Sequence, residues 1–168
     1  MTTIKRQIKI NKPVNEVWKA LADFGNICHG HPSVKKSYVT SEQKEGIGAT
    51  RHCDFTMMNA AAEERIIEWN EGKNIKIEVY ELKNMPGMDS SKFDLQVETL
   101  DNNSSILTGT MMYNMKNAFF DLINSVAMKR ANATVVSGIM AGHKKYIETG
   151  EIINNKTPLE LDKVIKLG

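Results

Sequence analysis

Arg51 is the side chain of this sequence best suited to bind a polar group inside an apolar environment. It has the strand parity of Ala49, Cys53, Phe55 and Met57, which we expect to face inward. Because an unpaired buried guanidinium is very costly, Arg51 needs a carboxylate partner, and Glu64 or Glu68 on the next predicted strand could supply one. Two interpretations stay open: an anchor for a ligand carboxylate or carbonyl, or a structural ion pair.

A second group of reactive side chains, Cys28, His29 and His31, lies in a loop rich in Gly, His and Pro. Their spacing matches no standard zinc motif, so we expect no metal there. His29 or His31 could act as a general base, since histidine titrates near neutrality, or could simply lie at the edge of a pocket. No nucleophile is placed beside them, so catalytic residues stay unassigned.

Aromatic residues supply further candidates. Tyr113 shares a strand face with Met111 and Met115, where its hydroxyl could orient a carbonyl or bond to the backbone of the core. Trp18 is most simply a core residue. The ten methionines indicate either ordinary core filling or an apolar space that adapts to varied partners.

The elements that must position these residues follow from hydrophobic periodicity. Ile4, Ile8 and Ile10 alternate with polar residues in a first strand, and Pro13 opens a helix that ends near Asp23. Six further strands are separated by short turns, which predicts antiparallel neighbours; they span residues 34–42, 48–57, 63–69, 75–82, 91–100 and 106–115. The layout is α+β.

A long helix is predicted over residues 117–149, and its apolar stripe changes phase halfway along. Residues between Phe119 and Ala127 cluster on one side, and residues between Val135 and Ile147 cluster roughly 150° away, with the change across 129–132. We therefore expect a kink, a break, or a first half that faces a different wall. The second half should pack on the sheet, and the first should line or close a cavity mouth.

Composition excludes several classes of function. The net charge of +2, from 22 basic and 20 acidic residues, gives no reason to expect nucleic acid as a partner. No segment resembles a signal peptide or a membrane span, and two cysteines without framework spacing predict free thiols in a cytoplasmic protein. The sequence implies no cofactor and leaves monomer or homodimer open.

Several short motifs occur in a characteristic order: KPVNEVWKAL, DFGN with HPSV shortly after, GIGATR, EERIIEW and GHKKYIETG. Over residues 3–150 the chain resembles the START/Bet v 1-like superfamily, in its branch of small polyketide-cyclase/dehydrase-like and lipid-transport (SRPBCC-type) proteins. The resemblance implies a helix-grip fold, with a seven-stranded antiparallel sheet curled around a long C-terminal helix and two short helices. It also implies one domain over 1–150 and a tail over 151–168. Relatives often carry a tryptophan in the stretch after the position of Asp23, whereas residues 27–31 of this chain contain no tryptophan.

What the resemblance implies for function is a cavity that holds a hydrophobic or amphipathic small molecule, or alternatively an enzyme of the cyclase/dehydrase type acting on such a ligand. A scaffold for protein–protein contacts is the third possibility. We expect the cavity to be opened by the loop 84–88 and by the helix around Arg130. The candidate lining residues are Trp18, Phe24, His29, His31, Arg51, Cys53, Phe55, Glu64, Phe93, Met111, Tyr113, Phe120, Ile123, Val135 and Ile139.

Overall fold

An antiparallel sheet forms one layer of the fold in the computed structural model, which describes residues 1–85 and 87–167. Its strand order is β2-β3-β4-β5-β6-β7-β1-β8. The strands are β1 (Thr2–Ile10), β2 (Val34–Val39), β3 (Thr50–Phe55), β4 (Ala61–Asn70), β5 (Asn74–Lys83), β6 (Met88–Asp101), β7 (Ser104–Met115) and β8 (Ile165–Leu167). The predicted α+β, helix-grip architecture is confirmed.

The number of strands differs from the prediction, because the sheet has eight strands rather than seven. The additional strand β8 comes from the C-terminal tail and pairs antiparallel with Lys5–Gln7 of β1. A strand edge leaves backbone N–H and C=O groups unpaired, so a nearby extended segment is well placed to bind there. Val164, just before β8, is buried in the main core, which holds the tail against the domain.

Helical segments form the rest of the fold. They are α1 (Val14–Ala22), a 3₁₀ segment (Phe24–His29), α2 (Ala118–Ile123), a π-helical turn (Asn124–Met128), α3 (Lys129–Thr149) and a short 3₁₀ turn (Leu161–Lys163). Pro13 stands directly before α1, where its missing N–H is not needed. Within the described residues, none of these helices combines the length and the hydropathy that crossing a bilayer would require.

The main core lies between α3, α1 and the inner face of the sheet. Val136 and Met140 of α3 are fully buried, as are Ile8 and Leu107 of the strands beneath them. Two polar contacts fix α3 along β1: Arg6 Nε donates to Ser137 Oγ at 3.2 Å, and Lys144 Nζ donates to Lys9 O at 3.0 Å. One face of the long helix is thereby held on β1, the strand next to the edge strand β8.

The π-helical turn explains the phase change of the long helix. A π-helical turn contains one more residue than an α-helical turn. It therefore rotates the side chains before the turn, about the helix axis, relative to those after it. The turn covers 124–128, just before the predicted change at 129–132, and the backbone continues into α3 without a break. Phe119, Leu122 and Val126 are consequently left more than half exposed, while α3 buries its own stripe.

Two glycines let α3 approach the loop after the 3₁₀ segment. A Cβ at Gly142 would clash with the carbonyl oxygen of Gly30, and a Cβ at Gly30 would lie 3.4 Å from His143. The backbone N–H of Ile153 donates to His29 O at 2.9 Å, so the start of the tail secures the same loop. This close approach brings the loop that carries His31 against the buried side of α3.

Candidate functional site

A cavity of about 510 Å³ lies between the inner face of the sheet and the helical layer. Strands β3 to β7 form one wall, the segment from Ile27 to Ser33 closes one side, and the stretch from Met128 to His143 forms the other wall. A separate depression of about 590 Å³ surrounds the turn Asp101–Ser104, but it is a shallow, solvent-open polar surface next to Lys9 and Asn11. The enclosed cavity is therefore the candidate site.

The cavity wall is mostly apolar and rich in methionine. Branched aliphatic side chains, among them Ile77 and Val79, line it, and six of the ten methionines contribute: Met57, Met58, Met85, Met88, Met111 and Met128. Met57 and Met58 are 69% and 65% exposed, so they mark a mouth that opens to solvent. Unbranched thioether side chains can adapt to ligands of different shape.

An ion pair forms part of the wall. Arg51 and Glu64 stand directly opposite each other on β3 and β4, and both are buried. Arg51 donates to Glu64 Oε2 through Nε, at 2.7 Å, and also through Nη2. Its Nη1 donates to Phe24 O at 2.6 Å, and its guanidinium lies 4.1 Å from the centre of the Phe24 ring. The charge of Arg51 is thus balanced within the protein.

Two histidines complete what we call the polar patch, which consists of Arg51, Glu64, His31 and His143. Burial, followed by the nearby His143 and Arg51, lowers the pKa of His31 to about 3. Burial likewise lowers the pKa of His143 to about 4, with Arg51 contributing in the same direction. Both imidazoles are therefore neutral at pH 7, and each can donate one hydrogen bond and accept another.

The hydrogen bonds of the two imidazoles assign opposite tautomers. His143 Nδ1 lies 2.9 Å from Ile139 O, a pure acceptor, so Nδ1 carries the proton and Nε2 is an acceptor. His31 Nδ1 accepts from the backbone N–H of Ser33 at 3.1 Å, so the proton of this ring is on Nε2. In the described part of the chain neither Nε2 makes a hydrogen bond to another polar group, and both residues line the cavity.

Many of the residues that the sequence predicts for the cavity line it: His31, Arg51, Phe55, Glu64, Phe93, Met111, Val135 and Ile139. Strand alternation identified those on β3, β6 and β7, because successive side chains point to opposite faces. Val135 is 39% exposed and stands at the mouth.

Three predicted residues lie in the core instead. Trp18 donates to Glu71 Oε1 at 2.8 Å and packs edge-on against Trp69 with ring centres 5.1 Å apart, because α1 crosses the closed end of the sheet. Phe24 lies beneath Arg51 and is buried. Cys53 packs with Ile27 and Val34 behind the wall, and burial raises the pKa of its thiol to about 12, which keeps the thiol protonated at pH 7.

Four more predicted residues lie outside the lining. His29 packs on Tyr146, with ring centres 5.7 Å apart, because it points to the C-terminal end of α3. Tyr113 donates to Asn124 Oδ1 at 2.7 Å, and this buried contact fixes the π-helical turn on β7. Phe120 packs on Gly87, whereas Ile123 is half-buried on α2. No residue of α2 or of the first four residues of the π-helical turn is among the residues that line the cavity.

Sequence reasoning missed six polar residues of the wall, of which His143 and Asn132 matter most for the site. His143 is not among the predicted lining residues, although its position four residues after Ile139 on the buried stripe is a usable signal. Asn132 stands at the phase change of the long helix, lines the cavity, and has a buried side-chain nitrogen, Nδ2, without a partner in the described residues. No group of three or more His, Cys, Asp or Glu side chains converges within residues 1–85 and 87–167, and both cysteines there are free.

Comparisons with known proteins agree with this geometry. The chain is similar to a crystal structure of a protein from Thermus thermophilus, with a TM-score of 0.71 at 12% identity over 87% of this chain and 97% of that one. It is also similar to a conserved protein from Geobacillus kaustophilus, with a TM-score of 0.70 at 14% identity over 89% and 97% of the two chains. At these identities the likeness shows the fold alone.

A further similar structure is that of truncated norcoclaurine synthase from Thalictrum flavum, with a TM-score of 0.64 at 12% identity over 88% of this chain and 94% of that one. None of the curated proteins matches the chain in sequence. The family model described as polyketide cyclase / dehydrase and lipid transport matches residues 1–148. This chain therefore belongs to the polyketide cyclase/dehydrase and lipid-transport family, with a Bet v 1-like helix-grip fold.

Proposed function

We propose that this protein binds a hydrophobic or amphipathic small molecule in the cavity between the sheet and α3. The observation that carries the proposal is the cavity itself, about 510 Å³ of mostly apolar space with one polar patch. Small-molecule sites typically have this size and this combination of apolar walls and few polar groups. Burying about 300 Å² of apolar ligand surface would contribute roughly 7 kcal/mol before the cost of immobilising the ligand. Both cysteines are free thiols, which are typical of cytoplasmic proteins, so we place the proposed binding function in the cytoplasm.

Access to the cavity requires a movable element. We propose that the segment around Met85 and Met88 moves relative to the helical stretch from Met128 to Asn132, since both line the mouth side of the cavity. The π-helical turn and the unpartnered Nδ2 of Asn132 both weaken the helix there. Pro86, which belongs to the predicted gate, lies outside the described residues.

The gate predicts a pattern of backbone hydrogen exchange. Amides of Asn84, Met85 and Gly87 and those of 124–132 should exchange much faster than those of β6 and β7, and a bound ligand should slow them. Mass spectrometry of exchanged peptides measures this. If both segments are as protected from exchange as the central strands, the proposed gate is contradicted, whereas the proposed binding site is not.

A matched pair of variants tests the binding function. Met111→Trp fills the cavity from β7, whereas Met112→Trp places the same side chain on the neighbouring residue, which does not line it. Fluorescence titration with the neutral apolar dye N-phenyl-1-naphthylamine should show one saturable site in the wild type and in Met112→Trp. Affinity should fall at least tenfold in Met111→Trp. A dye that binds nowhere, or binds all three proteins equally, would contradict the proposal.

The second candidate function is acid–base catalysis on a bound ligand, and the histidine pair favours it. His143 Nε2 is an acceptor and His31 Nε2–H a donor, so His143 could take an α-proton from a ketone while His31 donates a hydrogen bond to the ketone oxygen. The product is the enolate beside protonated His143, which exchanges its proton with solvent and returns one to the carbon to restore the ketone. Incubation with 2-tetralone in D₂O should then give deuterium incorporation that His143→Phe abolishes. Exchange at the rate of buffer alone would exclude this chemistry for that ketone.

A further inference from the structure

The charges of the polar patch are already paired within the protein. Arg51 is already neutralised by Glu64, with which it makes two hydrogen bonds, and a third goes to Phe24 O. A ligand carboxylate approaching the guanidinium would also meet the carboxylate of Glu64. It would in addition lose its hydration in an apolar space, which is costly for any ion without a dedicated partner. A cation would meet the same desolvation cost and the charge of Arg51.

What the patch offers instead is one neutral donor and one neutral acceptor. The donor is His31 Nε2–H, because Nδ1 of that ring accepts from Ser33 N. The acceptor is His143 Nε2, because Nδ1 of that ring donates to Ile139 O. The close packing of Gly30 on Gly142 and His143 brings the two rings to the same part of the wall.

From this arrangement we infer that the ligand is an uncharged amphipathic molecule whose buried end carries a hydroxyl group, an alcohol or a phenol. The hydroxyl oxygen accepts from His31 Nε2–H, and the hydroxyl proton is donated to His143 Nε2. Among common neutral groups, a hydroxyl meets both requirements with a single oxygen, whereas a ketone or ether can only accept. The inference rests on the proposed function, because it names the class of ligand for the same cavity.

Three probes of one shape test this ligand class: 2-naphthol, naphthalene and 2-naphthoate, titrated at pH 7 by calorimetry or by their own fluorescence. We expect 2-naphthol to bind about tenfold more tightly than naphthalene, which corresponds to the usual net worth of a buried hydrogen bond. We expect 2-naphthoate to bind at least tenfold more weakly than 2-naphthol, because its charge must be buried beside Glu64.

Variants assign the preference to the two rings. His31→Phe and His143→Phe keep a planar ring, and in each variant the ratio of 2-naphthol affinity to naphthalene affinity should fall from about ten to about one. His31→Gln and His143→Gln retain a donor and an acceptor and should therefore keep part of the preference for 2-naphthol over naphthalene. They replace the Phe variants in this test if a Phe variant does not fold. His29→Phe is the matched control, because His29 lies in the same loop but outside the cavity lining.

The outcomes separate the ligand class from the proposed function. Equal binding of 2-naphthol and naphthalene, or tightest binding of 2-naphthoate, would overturn the hydroxyl inference and leave a binding cavity in place. The second of these results would favour Arg51 as an anchor for anions. A preference for 2-naphthol that survives both Phe variants would also overturn the inference. If none of the three probes binds, the proposed function fails and the inference fails with it.

Discussion

At the scale of single residues, the ion pair between Arg51 and Glu64 shows how far the sequence leads. The alternation of side chains along the strand predicted that Arg51 faces inward, and the next predicted strand offered Glu64 and Glu68 as carboxylate partners. The register of β3 on β4 decides between them, because Arg51 stands opposite Glu64. Glu68 instead accepts from Lys76 Nζ at 2.8 Å near the surface. Register depends on the turn that joins the strands, which composition alone does not specify.

The ion pair predicts a large difference between two similar substitutions. Glu64→Gln leaves the buried guanidinium of Arg51 without its counter-charge and should lower the free energy of unfolding by about 3 kcal/mol. Glu68→Gln removes a partly exposed pair with Lys76 and should destabilise the protein much less. Urea unfolding of both variants measures the difference. Equal stabilities would mean that the Arg51 charge is not buried.

The buried histidines predict that stability falls on the acid side. Their pKa values in the folded protein, about 3 for His31 and about 4 for His143, lie below the ordinary 6.5, so the unfolded chain binds more protons between these values. Stability is complete above pH 6.5 and decreases as pH falls, by up to about 1.4 kcal/mol per pH unit for each histidine. Urea unfolding between pH 7 and 5 measures the slope.

A third histidine supplies the control for this pH dependence. Hydrogen bonding to Glu63 raises the pKa of His52, so its contribution is complete below pH 6.5 and is lost as pH rises through the raised value. The double variant His31→Gln/His143→Gln should flatten the slope between pH 6 and 5, whereas His52→Gln should leave it unchanged. An unaltered slope in the double variant would show that both imidazoles are protonated as easily as in the unfolded chain.

At the scale of elements, alternation and short turns predicted the type and order of the first seven strands and both main helices. The ends differ by a few residues, as between the predicted 34–42 and β2 (Val34–Val39). The phase change of the long helix was visible in the sequence, but the π-helical turn that produces it was not. Such a turn depends on tertiary contacts, here the buried hydrogen bond from Tyr113 to Asn124. The pairing of β8 depends on a free edge of β1, which local periodicity does not reveal.

The contact between α3 and the His31 loop predicts opposite effects of two glycine substitutions. Gly142→Ala introduces a Cβ against the backbone oxygen of Gly30, which cannot move aside as a side chain can, and should destabilise the protein by about 1–3 kcal/mol. Gly138→Ala, one turn earlier, meets only Pro32 Cγ at 3.5 Å and should stabilise it by up to about 1 kcal/mol through helix propensity. Urea unfolding measures both, and a fully stable Gly142→Ala would contradict the close packing.

At the scale of the whole molecule, the fold separates the parts that give stability from those that bind. The core between α1, α3 and β1 is filled, whereas the space beneath β3 to β7 and the start of α3 is left open as the cavity. Family resemblance predicted such a cavity, and strand parity identified many of its apolar wall residues. The two histidines meet only because a loop and a helix, over one hundred residues apart in the sequence, are packed together. Their pairing therefore required the structure.

The central claim is that this cavity holds an amphipathic small molecule, and native mass spectrometry of the protein purified from its own host tests it most directly. The account predicts a retained compound that dissociates on denaturation, carries a hydroxyl group and no net charge, and is absent from Met111→Trp. An empty protein whose melting temperature no hydrophobic compound raises would contradict the account.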